Sequence, residues 1–377
     1  MSCMSSASSC RASLVGGAFA ALLVITGVTT GAVGQQLAPT APPEPRLVAQ
    51  SGGRVAWYHG SKHELIAYDA VSDERHKDTE LYVMNPDGSG RRCVTCGSPI
   101  SKGFVGQPDW HPDGEHIVIQ VENENSAHKF YNHMSWGIDA DLWLINKDGS
   151  GARKISDTPP GHAALHPHFN QDGSRLMFAE RIPTGKAIPG LRLITPGGEN
   201  HWLGWRIHLA KVDLEAPDGK VLSDHRTLAP NGQGFYETHG FTDDGRLLYS
   251  HTDAGRAYVD DIFSALPDGS KVKNLTNSPS TWDEHGQYSS RGDFAFISSR
   301  FDKSLRFPRS RAAQLRTELF VEKSGGSPVQ MTNMNTTKGR RIAVSDFDWD
   351  RDGKRIVFQV AVVDGSVNPE IWMIDAN

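Results

Sequence analysis

The chain is expected to fold as an all-β, six-bladed β-propeller of four-stranded antiparallel blades. Three observations predict this: a turn signature that recurs at two fixed places in each unit, short apolar strands between the turns, and a spare N-terminal strand where the last unit lacks one. The first turn, Asn85-Pro86-Asp87-Gly88, returns as Lys147-Asp148-Gly149, Pro217-Asp218-Gly219, Pro267-Asp268-Gly269 and Ser324-Gly325-Gly326. The second, Trp110-His111-Pro112-Asp113-Gly114, closes again at Gly173, Gly245, Gly292 and Gly353. Asp-Gly between apolar runs marks a hairpin, because glycine accepts the positive φ that a tight turn demands.

The elements follow in order. Strands 81–84, 142–145, 262–263, 319–321 and 371–374 are each tied to the first turn or its equivalent place, and strands 117–119, 176–178, 247–249, 294–296 and 356–358 follow the second. Units therefore begin at Arg54, Gly106, Ala163, Phe235, His285 and Ala343. The last unit lacks an outermost strand, and residues 46–50 have no other assignment. They can supply it, closing the ring and removing an exposed edge.

Residues 1–34 read as an export signal. Arg11 carries charge, the apolar run 14–28 is too short for an ordinary membrane span, and Ala32 and Gly34 are small enough for a cleavage site. Residues 35–45 form a flexible lead-in rich in Pro, Ala and Gln, and 46–377 form a single propeller domain. The mature protein is accordingly expected in the periplasm or secreted, with no membrane span. Cleavage removes Cys3 and Cys10, leaving Cys93 and Cys96, for which a local disulfide is the leading reading in an oxidising compartment. A net charge of −5 does not imply a nucleic-acid surface. No Gly-x-Ser-x-Gly elbow and no phosphate-binding glycine loop occur, so peptidase and nucleotide chemistry are unsupported.

Loop length varies most at 122–140, 181–204 and 300–316, connections that open onto one face of the ring, and that face is expected to bind. His166, His168, His239 and His285 occur at the entry of innermost strands, with Asp109 and Gln107, and Asp346 and Asp348, at the matching places in two other blades. Such imidazoles and carboxylates suit a divalent metal such as Mn, Fe or Zn, with Glu237, Asp283 or Glu284 orienting the rings. A polar lining of a water-filled channel is the competing reading. Arg306, Arg309 and Arg311, with Lys303 and Arg316, make one loop basic. That suits an anionic ligand, or simply a solvated loop. Trp136, Trp202, Trp205, Phe130 and Tyr131 lie in or beside the long loops, where they either stack on sugars or pack the loops down.

The pattern aromatic-x-x-Asp-Gly-x-x-Ile-x-Phe, followed by strand, Asp-Gly-Ser and strand, resembles the TolB-like repeat of six-bladed periplasmic propellers (a WD40-like repeat). More loosely, the histidines entering the inner strands are similar to those of oligogalacturonate lyases, metal-dependent propellers that cleave short uronate chains by β-elimination. That resemblance implies His166 and His168 as a ligand pair and His239 or His285 as the separate ligand. Ala163 stands where the lyases have glutamine, which leaves Gln287 to substitute. Two functions follow as expectations: an exported propeller binding an envelope protein or anionic oligosaccharide, or a metal-dependent lyase acting on acidic saccharides.

Overall fold

The computed structural model describes residues 43–376, apart from 74–77, 101–102, 130–131, 133–135, 187, 189–197, 201, 217–218, 257, 308–313, 337–340 and 363–367. Six four-stranded antiparallel sheets are present, each built from consecutive strands except the last. Blade I comprises β2 (Val55–Trp57), β3 (Ile66–Asp73), β4 (Asp78–Met84) and β5 (Arg92–Cys93). Blade II runs through β6 (Val105–Trp110), β7 (His116–Glu122), β8 (Ala140–Asn146) and β9 (Arg153–Lys154). Blade III holds β10 (Ala163–Phe169), β11 (Arg175–Arg181), β12 (Trp205–Val212) and β13 (Leu222–Leu228). Blade IV holds β14 (Gly234–Phe241), β15 (Leu247–Asp253), β16 (Asp261–Ala265) and β17 (Lys273–Asn274). Blade V holds β18 (Asp283–Tyr288), β19 (Phe294–Ser298), β20 (Glu318–Glu322) and β21 (Val329–Gln330). Blade VI combines β22 (Ile342–Trp349), β23 (Arg355–Val362) and β24 (Glu370–Asp375) with the N-terminal β1 (Arg46–Ala49). Leu47 faces Trp372 across that last pairing, so the ring closes as the sequence predicts.

Apolar cores lie between blades, where two sheet faces meet. Ala56, Ala67, Leu81 and Val83 of blade I pack with Val105, Ile117 and Ile119 of blade II. Leu248 and Ile262 of blade IV likewise meet Phe294, Phe296 and Phe320 of blade V. Each fully buried aliphatic side chain of this kind contributes about 1.5–3 kcal/mol. The loop aromatics belong to these cores: Trp202 and Trp205 are buried with Phe235, and Trp136 packs against the same cluster. They hold loops onto the ring instead of offering faces to a ligand; Phe130 and Tyr131 lie outside the described residues. Cys93 and Cys96 form a disulfide. None of the described helices is long and apolar enough to cross a membrane.

One irregularity positions the functional residues. Every innermost strand after the first breaks register once: between Gly106 and Asp109, Leu165 and His168, Thr238 and Gly240, Glu284 and Gln287, and Ser345 and Phe347. Such a bulge leaves residues without a cross-strand partner and re-aims their side chains. The bulges hold Gln107, His166, His239, His285 and Asp346. Gln107, His166 and His285 have φ near +50° and Asp346 has φ 24°, in the left-handed region that side-chain-bearing residues avoid. Each such residue costs about 1–2 kcal/mol.

Candidate metal centre in the axial channel

Strain repeated at one register in successive blades brings polar groups from distant parts of the chain together. His166, His239 and His285 are all buried, and each offers a ring nitrogen within 4.8 Å of the others'. Ring centroids are 5.2 Å apart for His166 and His285, and 4.9 Å for His239 and His285. Glu237 reaches into the group from β14: its Oε1 lies 3.0 Å from Nε2 of His166 and 3.7 Å from Nε2 of His285. Asp346 Oδ1 stands 3.9 Å from the same nitrogen of His285. Nε2 of His239 lies 2.6 Å from Ser250 Oγ, which fixes the ring.

Electrostatics favour a neutral His239 beside an ionised Glu237. Burial, reinforced by His285, holds His239 well below the usual histidine range. Burial alone would raise Glu237, but His166 and His285 outweigh it and keep this carboxyl well below its ordinary range. Glu284 moves the other way: burial raises it well above normal, and the Glu237 charge adds to the effect.

Two residues beyond the left-handed residue of four of the five bulges, a second set of side chains serves the scaffold. Asp109 Oδ2 accepts the Phe169 N–H at 2.7 Å, tying blade II to blade III. His168 Nε2 donates to the Thr238 carbonyl at 3.1 Å, tying blade III to blade IV. Gln287 Nε2 donates to the Phe347 carbonyl at 3.0 Å, and Asp348 Oδ2 accepts the Trp57 N–H at 2.6 Å. The structure therefore separates residues that the sequence pattern pools. His166, His239, His285 and Glu237 come together; His168, Gln287, Asp109 and Asp348 stitch neighbouring blades.

The glutamine beside the imidazoles is Gln107, whose Nε2 is 2.7 Å from Nε2 of His166. Its place seven residues ahead of the turn glycine, shared with His166, His285 and Asp346, was the signal present in the sequence. Asp283 does not orient a ring, since its carboxylate pairs with Arg300 at 2.6 Å. Arg306 is exposed and donates to the Leu305 carbonyl at 2.8 Å, while Arg309 and Arg311 lie outside the described residues.

A cavity of about 490 Å³ leads to this centre, on the side of the ring opposite the expected loop-rich face. Its walls include His59, Asp109, His168, Gln171, His239, Asp243, Asp348 and Arg351, which lie at the ends of innermost strands and in the turns beyond them. None of the described residues of the long connections 122–140, 181–204 or 300–316 lines it. The funnel thus opens on the face of short turns. Its described lining carries Asp109, Asp243, Asp348 and Asp350 against a single guanidinium, Arg351.

No family model matches the chain. Dipeptidyl-peptidase 5 of Porphyromonas endodontalis is 26% identical over 150 residues, which is 37% of this chain and only 19% of that relative's length. A TolB structure from Agrobacterium tumefaciens superposes with a TM-score of 0.51 at 15% identity, covering 76% of this chain and 81% of that one. An oligogalacturonate lyase in complex with manganese gives 0.48 at 11% identity over 88% and 96% of the two chains. What the TolB likeness establishes is the fold, a TolB-like propeller.

Proposed function

We propose that the chain is an exported propeller that holds a divalent transition metal in its axial channel and binds a small polar ligand above it, through the funnel on the turn face. The observation that carries this reading is the convergence of four buried donors from three blades: ring nitrogens of His166, His239 and His285 lie within 4.8 Å of one another, and Glu237 Oε1 is 3.0 Å from Nε2 of His166. A cation among them would face the imidazole lone pairs and the carboxylate at once.

The donor set fits. Three imidazoles with a carboxylate suit Mn, Fe or Zn better than the all-oxygen cations, and His166, His239, His285 and Glu237 would hold the ion. Bound there, it would act as a Lewis acid toward a ligand hydroxyl or carboxylate. The remaining work falls to the chain. His168 spends its Nε2 proton on the Thr238 carbonyl, which leaves Nδ1 as an acceptor in the funnel wall. Burial holds that ring down at about 3, so it stays neutral. His59 and Asp348, 3.1 Å apart, form a polar pair in the same wall.

Export, with a periplasmic or secreted location, rests on residues 1–34, and an envelope protein or oligosaccharide remains the expected partner class. The test is the metal content of untagged protein purified from the exported fraction. At least one ion per chain is expected, and a His239→Ala/His285→Ala variant that keeps its fold should lose one. Trace metal that the double change does not alter would refute the reading. The lyase alternative is tested with the same preparation: a rise in unsaturated-uronate absorbance on oligogalacturonate would establish elimination chemistry, and its absence leaves binding.

A further inference from the structure

A second pair of imidazoles lies away from the axis, in a cavity of about 340 Å³ between blades II and III. His208 stands mid-strand on β12, opposite Phe178 of β11, and stacks on that ring at 4.4 Å with planes 17° apart. Glu180 Oε2 lies 3.2 Å from His208 Nδ1. An ionised carboxylate only accepts, so Nδ1 carries the proton and Nε2 carries the lone pair. That Nε2 is 2.9 Å from Nδ1 of His225 on β13.

Backbone geometry makes the encounter specific. The β12–β13 ladder shifts register between Leu209 and Lys211, and Asp224, just ahead of His225, has φ 47°. The Asp224 carboxylate is paired with Lys211 at 3.3 Å and Arg226 at 3.5 Å, and the turned backbone there brings His225 up to His208. Lys154 also lines the cavity, but its ammonium is paired with Asp157 and lies 3.6 Å from Asp141, so its charge is largely answered.

We propose that His208 Nε2 and His225 Nδ1 form a binding site for a divalent transition metal, with Glu180 positioning His208 and the other coordination places open to the cavity. Two nitrogens, each about 2.1 Å from one ion, would be about 3.0 Å apart at the right angle of a tetragonal Cu or Ni site and about 3.4 Å apart at tetrahedral Zn, against 2.9 Å observed. Binding needs His225 to carry its proton on Nε2, a tautomeric shift that takes up and releases no net proton. Carboxylate backing of a ligating histidine is a common arrangement and strengthens the donor. Imidazole ligands select Zn, Ni or Cu over Mg or Ca. This site is independent of the axial centre.

Untagged full-length protein titrated with Zn²⁺ against a chromophoric chelator, and with Cu²⁺ read by electron paramagnetic resonance, tests the site. The expected result is an equivalent of metal that persists in the His239→Ala/His285→Ala protein and gives a nitrogen-ligated copper spectrum. His208→Gln and His225→Gln should each weaken that equivalent at least tenfold in protein that still unfolds cooperatively, and Glu180→Gln should weaken it about tenfold. Identical titrations of wild type and His225→Gln, or copper bound without nitrogen hyperfine structure, would overturn the proposal. The pair would then be a hydrogen bond and nothing more.

Discussion

Asp109→Ala separates a scaffold role from a binding role at a position that the sequence groups with the ligand residues. The change removes the carboxyl oxygen that accepts the Phe169 N–H at 2.7 Å across the blade II–blade III seam. A buried donor left unpaired costs about 1–3 kcal/mol. Burial, with the charge of Asp348 adding to it, pushes Asp109 up to about 8, so near neutral pH the acceptor is mostly an uncharged carboxyl. That places the loss in the lower part of the range, about 1–2 kcal/mol. Asp109→Asn keeps an acceptor of the same shape and should lose less than about half as much. Gln287→Ala is expected to fall between them, because the Phe347 carbonyl it abandons has a second lone pair to satisfy. Urea denaturation is the assay. With a slope of about 3 kcal/mol per molar for a chain of this size, Asp109→Ala should lower the midpoint by about 0.5 M. A midpoint equal to wild type, accompanied by weakened metal or ligand binding, would refute the stitch and return Asp109 to the site.

Two further outcomes follow from the geometry. At the left-handed position of His285, φ 51°, glycine should be better tolerated than alanine. In chelator-treated protein His285→Gly is expected to exceed His285→Ala in stability by about 1 kcal/mol, the reverse of the usual order within strands, and equal midpoints would contradict the strain. Asp69 gives a pH dependence. Burial outweighs the nearby Arg54 and raises this carboxyl to about 6 from 3.8. The folded state then binds the proton more tightly than the unfolded state, so this group's contribution falls as pH rises from about 4 to 6 and is lowest above that. The full change is about 3 kcal/mol. Asp69→Asn should therefore gain on wild type in urea midpoint between pH 4 and pH 7; parallel pH profiles would show that Asp69 is not perturbed.

Blade number, strand order and ring closure were legible in the chain because each rests on local chemistry. Asp-Gly turns such as Asp113-Gly114 and Asp268-Gly269 favour hairpins wherever they stand, and continuously apolar strands such as 142–145 must bury both faces. Residues 46–49 were left with one unpaired edge to cover, and they cover it. The candidate site was legible only as a neighbourhood. Strand periodicity assigns side chains to alternate faces, but a bulge inserts an extra residue and reverses that parity beyond it. At His166 and His285 the turned residue of the bulge is not a glycine, so nothing local announced it. Tertiary structure alone decided that Glu237 and Gln107 join the imidazoles while His168 and Gln287 turn to the next blade, and that the funnel opens among short turns. The reason is physical: a turn is set by the conformations available to two or three adjacent residues, whereas a side chain's direction at the axis depends on the register of strands that meet only when the ring is closed.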